Sequence, residues 1–507
     1  MTLAPETPAV PPVRPVLKIP TGIVGFDQLT SGGLPEGRTT LVVGTSGSCK
    51  TLFSMECLWR SLKQYQRNAV LVTLEEPLTE LRRNVLGLNW DFGELIEGGG
   101  LRVVDASPLA LVDTGGDDFD LSALMEKIVE AIEAIDAQFV VIDAIGTLFS
   151  QLPGDFIIRR ELLRLCDRMR VAGVTTLMTA ERMYEYGPIS RYGVEEYLSD
   201  GVVVLRNVLE EERCRRTMQV LKLRGNAHLK GEFPFTLTDE GLCVLTISAD
   251  QLDHPSTTDR IASGNARLDE VAGGGFFRDS IILVSGATGT GKTLLTTTFA
   301  SEGCRQGERT LVLAFEESRP QLLRNATGWG MGFEEAEKEG VLRVVCTYPE
   351  SMGLEDHLVQ IQREVDEFKP VRLVIDSLSA LERVGSMKVF REFVIGLSAL
   401  AKERSICTLL TSTTPGLAGG ESITEAHIST LTDAIILLRY VEIGSRLRRG
   451  IAVIKMRGSA HDKDVIEYRV DQEGMHLMQP FKNVHGIILG TPQSSGDEEA
   501  ALVQAFE

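Results

Sequence analysis

No apolar run in this chain of 507 residues approaches the roughly 18–20 that a membrane-spanning helix needs. The opening stretch also lacks the charged start and apolar middle of a signal peptide, so the chain reads as cytoplasmic and without a membrane partner. Cysteine is sparse. The eight cysteines are scattered, with no C-x-x-C pair and no Cys/His cluster at metal spacing. That excludes a disulfide scaffold or zinc module and leaves reduced, mostly buried thiols. Positive charge is in deficit, with 52 Lys and Arg against 71 Asp and Glu and a formal net charge of −19. This balance counts against a charge-neutralising grip on DNA or RNA. What remains is ordinary globular composition, 43% apolar and 24% charged, in a chain too long for a single core.

The organisation lies in an internal repeat. Gly44-Thr-Ser-Gly-Ser-Cys-Lys-Thr51 is echoed by Gly286-Ala-Thr-Gly-Thr-Gly-Lys-Thr293, each preceded by a β-branched strand and followed by Leu. Thr73-Leu-Glu-Glu-Pro77 matches Ala314-Phe-Glu-Glu-Ser318, and the apolar strands ending in Asp143 and Asp376 match each other. Leu221-Lys-Leu-Arg-Gly225 matches Ile454-Lys-Met-Arg-Gly458. Four motifs in one order imply a tandem duplication. Strands (70–74, 139–142, 175–179) alternate with amphipathic helices (122–135, 158–171), which predicts an α/β fold: tandem P-loop domains with parallel sheets flanked by helices. The expected boundaries are a proline-rich arm over 1–15, a first domain over 16–248, a linker over 249–261, a second domain over 262–490 and an acidic tail over 491–507.

A strand, then G-x-x-x-x-G-K-[ST], then a helix is a phosphate cradle: its amides close around phosphate oxygens at a helix N-terminus. The second copy offers Thr288, Gly289, Thr290, Gly291, Lys292, Thr293 and Leu294 for ATP or ADP. Lys292 is placed to reach the outer phosphates and the Thr293 hydroxyl to ligate Mg²⁺. The first copy offers Gly47, Ser48, Cys49, Lys50, Thr51 and Leu52, with Thr51 as the Mg²⁺ ligand. Cys49 stands where glycine belongs, so a Cβ is expected to crowd the phosphate or strain the backbone. The acid pairs Glu75-Glu76 and Glu316-Glu317 suit polarising a nucleophile and helping hold Mg²⁺, with Glu317 the metal-side member. Asp143 and Asp376 are placed to act through the metal or its waters. The basic pairs Lys222/Arg224 and Lys455/Arg457 sit two apart, on one strand face. They read either as a solvated face or as cations completing a neighbouring subunit's site.

Three longer stretches carry a family resemblance: Glu185-Tyr-Gly-Pro-Ile-Ser-Arg-Tyr-Gly-Val-Glu-Glu196, Gly274-Gly-Phe-Phe-Arg-Asp-Ser-Ile-Ile282 and Ala426-His-Ile-Ser-Thr-Leu-Thr-Asp433. With the P-loops they resemble the KaiC family of RecA-like circadian-clock ATPases, from about residue 20 to residue 492. The resemblance implies a homohexamer of two stacked rings with ATP at subunit interfaces. The first ring is then a slow ATPase and the second a serine/threonine autokinase and autophosphatase. It adds Lys222, Leu223, Arg224 and His228 to the first nucleotide site. To the second it adds Glu316, Trp329, Arg449, Lys455, Met456, Arg457, Ser459, His461 and Lys463. It implies Ser429 and Thr430 as phosphoacceptors and Thr424 as a third hydroxyl that passes phosphate; in such a transfer Glu316 suits the base, and a nearby arginine such as Arg383 suits a reader of the new charge. Aligning Asp200 with Asp433 sets Glu196 and Tyr197 opposite the two acceptors, so the first repeat lacks them. A KaiB-like partner at the first domain, near 110–118, and an output signalling kinase are further implied partners. The residues after Gly490 do not resemble the family's KaiA-binding tail. Two rival readings share the fold: an ATP-sensing scaffold without self-phosphorylation, and a DNA-processing motor, against which the net charge stands.

Overall fold

The computed structural model describes residues 15–107, 121–149, 155–191, 193, 195–210, 212–246, 256–414, 428–443, 446–482, 484–485 and 493–494. The expected arm except residue 15, the first part of the linker, the 110–118 loop, Thr424 and most of the tail lie outside the described residues. The chain divides into two compact units, Met1–Thr246 and Ile247–Glu507.

Each unit is built on one nine-stranded sheet. In the first unit the order across the sheet starts Gly241–Val244, Phe233–Thr238, Arg213–Leu223 and Gly201–Glu210. It continues through Thr39–Gly44, Thr175–Glu181, Phe139–Asp143, Ala69–Thr73 and Leu101–Asp105. The six strands from Gly201–Glu210 to Leu101–Asp105 run parallel, and the three beyond Gly201–Glu210 are antiparallel. The second unit repeats this order, with Ile281–Gly286 flanked by Cys407–Thr413 and Ala434–Ile443. Even an irregularity is duplicated. The register of the long hairpin shifts between Val202 and Val203 in one unit and between Ile435 and Ile436 in the other.

The parallel strands are near-continuous runs of β-branched and aliphatic residues because helices cover both faces. Successive side chains point to opposite faces. From Thr39–Gly44, Val42 enters one apolar cluster while Leu41 and Val43 enter the other. Ile281–Gly286 divides the same way, with Ile282 and Val284 on one side and Ile281 and Leu283 on the other. The covering helices are amphipathic. Leu121, Leu124, Met125, Ile128, Ala131 and Ile132 of the helix Leu121–Ile135 form one buried stripe. One core position differs in kind between the units. Phe139 begins its strand as a buried apolar residue, whereas the matching Arg372 is buried and hydrogen-bonded to Glu308, the Ala262 carbonyl and the Phe299 carbonyl.

Candidate functional site

Both phosphate-type loops leave the carboxyl end of a central strand and enter a helix, Lys50–Lys63 in one unit and Lys292–Arg305 in the other. The turn is tight. A Cβ on Gly44 would meet the Leu205 carbonyl oxygen at 2.7 Å, and one on Gly286 would meet that of Leu438 at 2.6 Å. Inside each loop a hydroxyl folds back on the main chain: Ser48 donates to the Thr45 carbonyl and Thr290 to the Ala287 carbonyl, each at 2.7 Å. The residue before the lysine is left-handed in both copies. Gly291 has φ 97° and ψ 26°, and Cys49 has φ 68° and ψ 28°. Cys49 therefore holds a conformation that glycine adopts freely and a residue with a Cβ does not. Its thiol is pushed up by burial, with the charges of Arg216 and Lys50 acting the other way, so it is not a reactive thiolate.

The two lysines turn inward. Lys50 Nζ donates to the Thr45 carbonyl at 2.9 Å, and Lys292 Nζ to the carbonyls of Gly286 and Ala287 at 2.9 and 3.2 Å. Burial lowers the pKa of both, and neighbouring carboxylates oppose it: Glu181, Asp143 and Glu75 around Lys50, Asp376 and Glu316 around Lys292. The loop hydroxyls meet the strand-end carboxylates. Thr293 Oγ1 donates to Asp376 Oδ2 at 2.8 Å, and Thr411 Oγ1 donates to its other oxygen at 2.5 Å. Asp143 is held in the same way by Thr179 and Thr51, and burial pushes its carboxyl above the usual carboxylate range against those hydrogen bonds.

The acid pairs follow the adjacent strands. Glu76 accepts from Asn84 at 3.1 Å and Glu317 from Asn325 at 3.2 Å. Burial raises Glu75, helped by Glu181 and Asp143, and burial raises Glu317, helped by Asp376. Arg383 lies 3.9 Å from Glu316 across an exposed ion pair. No cluster of three His, Cys, Asp or Glu suited to a metal occurs among the described residues. The donor set is instead a hydroxyl plus one or two carboxylates beside a phosphate cradle. That set fits Mg²⁺, which keeps several waters and takes its other ligands from phosphates.

The basic pairs face a different segment. Lys455 Nζ donates to the carbonyls of Ser429 and Thr432 at 2.6 and 2.7 Å, and Arg457 Nη2 to that of Thr430 at 2.8 Å. In the first unit Lys222 donates to the Glu196 carbonyl at 2.5 Å and Arg224 to the Tyr197 carbonyl at 3.1 Å. Ser429 and Thr430 thus occupy the places of Glu196 and Tyr197.

The remaining residues are not all beside the loops: Leu223 lies level with Gly201 and Thr40, and Met456 with Ala434 and Ile282, at the opposite end of the central strands. Leu223 and Leu294 are buried, and Leu52, Met456 and Trp329 pack part-buried against the cores. Arg449 stacks on Tyr440 at 5.7 Å, and its Nε is buried without a hydrogen-bond partner, as is His228 Nδ1. Tyr440 in turn leans on Gly289, where a Cβ would come within 2.8 Å of its hydroxyl. Ser459 accepts from Arg260 at 2.8 Å, and the Asp462 amide donates to the Val271 carbonyl at 2.9 Å, which pins the stretch that carries His461 and the exposed Lys463.

A family model described as the KaiC ATPase matches residues 19–249 and again 261–481. The chain belongs to the KaiC family. It is 52% identical over 489 residues to the circadian clock protein KaiC3 of Synechocystis, covering 95% of this chain and 96% of that protein. It is 52% identical over 481 residues to the circadian clock oscillator protein KaiC of Rippkaea orientalis (94% and 92% covered), and 50% identical over 492 residues to that of Synechococcus elongatus (96% and 94% covered). Membership of the KaiC family makes it a nucleotide-binding ATPase, and the two nine-stranded sheets are its tandem RecA-like domains. Among the described residues no helix is long and apolar enough to cross a membrane.

Three residues beside the site escaped the sequence reading. Arg216 donates to the Gly47 carbonyl at 3.5 Å and sits 233 positions before Arg449, so the repeat offset already pointed to it. Glu181 and Glu185 also flank the first loop, Glu185 accepting from Thr45 and from the Asn207 amide. They have no acidic counterpart in the second repeat, so a search for recurring motifs passes over them.

Proposed function

We propose that the first unit, residues 16–248, hydrolyses ATP, and that the second, residues 262–490, transfers the γ-phosphate of ATP to Ser429 and Thr430 and later removes it. The observation that carries this reading is the grip of Lys455 and Arg457 on the main chain of Ser429, Thr430 and Thr432. A pair of cations holds two hydroxyl-bearing residues where the first unit holds Glu196 and Tyr197, at the end of the central strand opposite the phosphate loop of the same copy.

In the transfer, the acceptor hydroxyl of an adjoining copy attacks the γ-phosphorus in line while the bond from that phosphorus to the ADP oxygen breaks. Glu316 takes the hydroxyl proton. Lys292 bears on the developing negative charge, as do Lys455 and Arg457 of an adjoining copy in a homohexamer. Thr293, Asp376 and Glu317 are the residues that would hold Mg²⁺, which neutralises phosphate charge when bound. Thr51 and Asp143 would hold it in the first unit. A KaiB-like protein at the first unit and an output signalling kinase are the proposed partners. The cytoplasm is the proposed compartment.

The test is incubation with Mg-ATP followed by mapping of phosphate by mass spectrometry, beside the Ser429→Ala/Thr430→Ala double variant. Phosphate at either position in the parent is the expected result. ATP hydrolysed with neither position modified would sink the kinase reading and leave an ATP-sensing scaffold.

A further inference from the structure

The strand that feeds each phosphate loop has a parallel neighbour on the side of the catalytic carboxylates. In the first unit this is Thr175–Glu181, in which Glu181 sits opposite Gly44, and the next amide, that of Arg182, donates to the Gly44 carbonyl at 3.0 Å. In the second it is Cys407–Thr413, in which Thr413 sits opposite Gly286, and the Thr414 amide donates to the Gly286 carbonyl at 3.2 Å. The register and the hydrogen bond agree, so Glu181 and Thr413 hold the same place in two otherwise matching sites. One unit puts an anion there and the other a neutral hydroxyl.

The Glu181 side chain is exposed and belongs to the loop's charge cluster. It is the foremost carboxylate acting on Lys50 and the foremost charge acting on Glu75. An anion beside the lysine that must grip phosphates weakens nucleotide binding, so its presence needs an offsetting use. A carboxylate at that strand end can accept a hydrogen bond from water and aim the water's oxygen. A site whose nucleophile is a protein hydroxyl has no use for an ordered water there, and Thr413 offers no anion to hold one.

We propose that Glu181 is a further catalytic residue of the first unit, orienting the water that attacks ATP, and that Thr413 at the matching place deprives the second unit of this function. The water oxygen bonds to the γ-phosphorus as the bond from that phosphorus to the ADP oxygen breaks. ADP leaves with the electron pair, and the water's proton passes to Glu75 and on to solvent. The proposal rests on the reading that the first unit hydrolyses ATP.

The experiment uses the full chain carrying Lys292→Ala, so that measured hydrolysis comes from the first unit, with Lys50→Ala added as the baseline. Into this parent Glu181→Gln and, separately, Glu181→Thr are introduced. The expected result is a fall in kcat of at least tenfold for both, with KM for ATP unchanged or lower because a repelling charge is gone. A smaller fall in kcat, or a rise in KM alone, would overturn the proposal and make Glu181 a mere screen for Lys50. Hydrolysis that survives Lys50→Ala would overturn first-unit hydrolysis itself, and the proposal with it.

Discussion

Gly291→Cys would place in the second unit the residue that the first already carries, and its cost can be worked from the backbone. Gly291 sits at φ 97°, further from the left-handed minimum than Cys49 at φ 68°. A residue with a Cβ there meets about 1–2 kcal/mol of steric penalty. The new Cβ would also lie 3.3 Å from Met475 Cε, the end of a flexible side chain that can yield, and 3.8 Å from a Val470 methyl; that crowding adds under about 1 kcal/mol. Together these come to about 2 kcal/mol, borne by the loop in its phosphate-wrapping shape. Because each 1.4 kcal/mol or so is tenfold in affinity, ATP should bind the second unit some 10–30-fold more weakly. Equilibrium titration with a fluorescent ATP analogue, in a Lys50→Ala background that silences the first loop, reads this directly. The reverse change, Cys49→Gly, should tighten the first site by less than tenfold, since glycine's extra freedom in the unliganded loop returns about 0.5–1 kcal/mol. Affinity for Gly291→Cys within twofold of the parent would refute the argument that left-handed geometry limits this position.

Gly286→Ala should cost about 3 kcal/mol or more, because its Cβ would meet the Leu438 carbonyl at 2.6 Å; limited proteolysis should show the second unit cleaved first. Lys455→Met should cut phosphate incorporation at Ser429 and Thr430 at least tenfold while first-unit hydrolysis persists, since two main-chain grips are lost. Asp143 makes a pH prediction. Its folded pKa lies above the ordinary 3.8, so the folded unit binds the extra proton. The carboxyl's contribution is intact below that value and is lost as pH rises through the raised one. Asp143→Asn should therefore flatten the decline in first-unit stability above about pH 4, measured by denaturant unfolding across pH.

The duplication and both loops were legible because glycine spacing, a β-branched strand and the trailing lysine survive as a linear pattern. The strands read as 70–74, 139–142 and 175–179 fall within a residue or two of Ala69–Thr73, Phe139–Asp143 and Thr175–Glu181, as buried parallel strands are strongly patterned. The contacts of the basic pairs were not legible. Two residues apart says only that Lys455 and Arg457 share a face; what they hold is set by a hairpin packed beside the 428–433 turn. Glu181 was hidden for a different reason. It ends an apolar strand with no motif around it, and only its register against Gly44 gives it meaning. The buried Arg372 runs against the rule that a strand's first inward residue is apolar, and its partners Glu308, Ala262 and Phe299 come from three separate places in the chain.

Lys455 and Arg457 reach the acceptor turn through carbonyl oxygens, as Lys222 and Arg224 reach its counterpart. A main-chain clasp is indifferent to which side chains it carries, so the turn is an interchangeable cassette whose chemistry can be rewritten without rebuilding its mount. One duplication could then yield a unit displaying glutamate and tyrosine and another displaying serine and threonine, each seated from the outset. The same indifference means that an acidic replacement at Thr430 should leave the carbonyl grips of Lys455 and Arg457 in place.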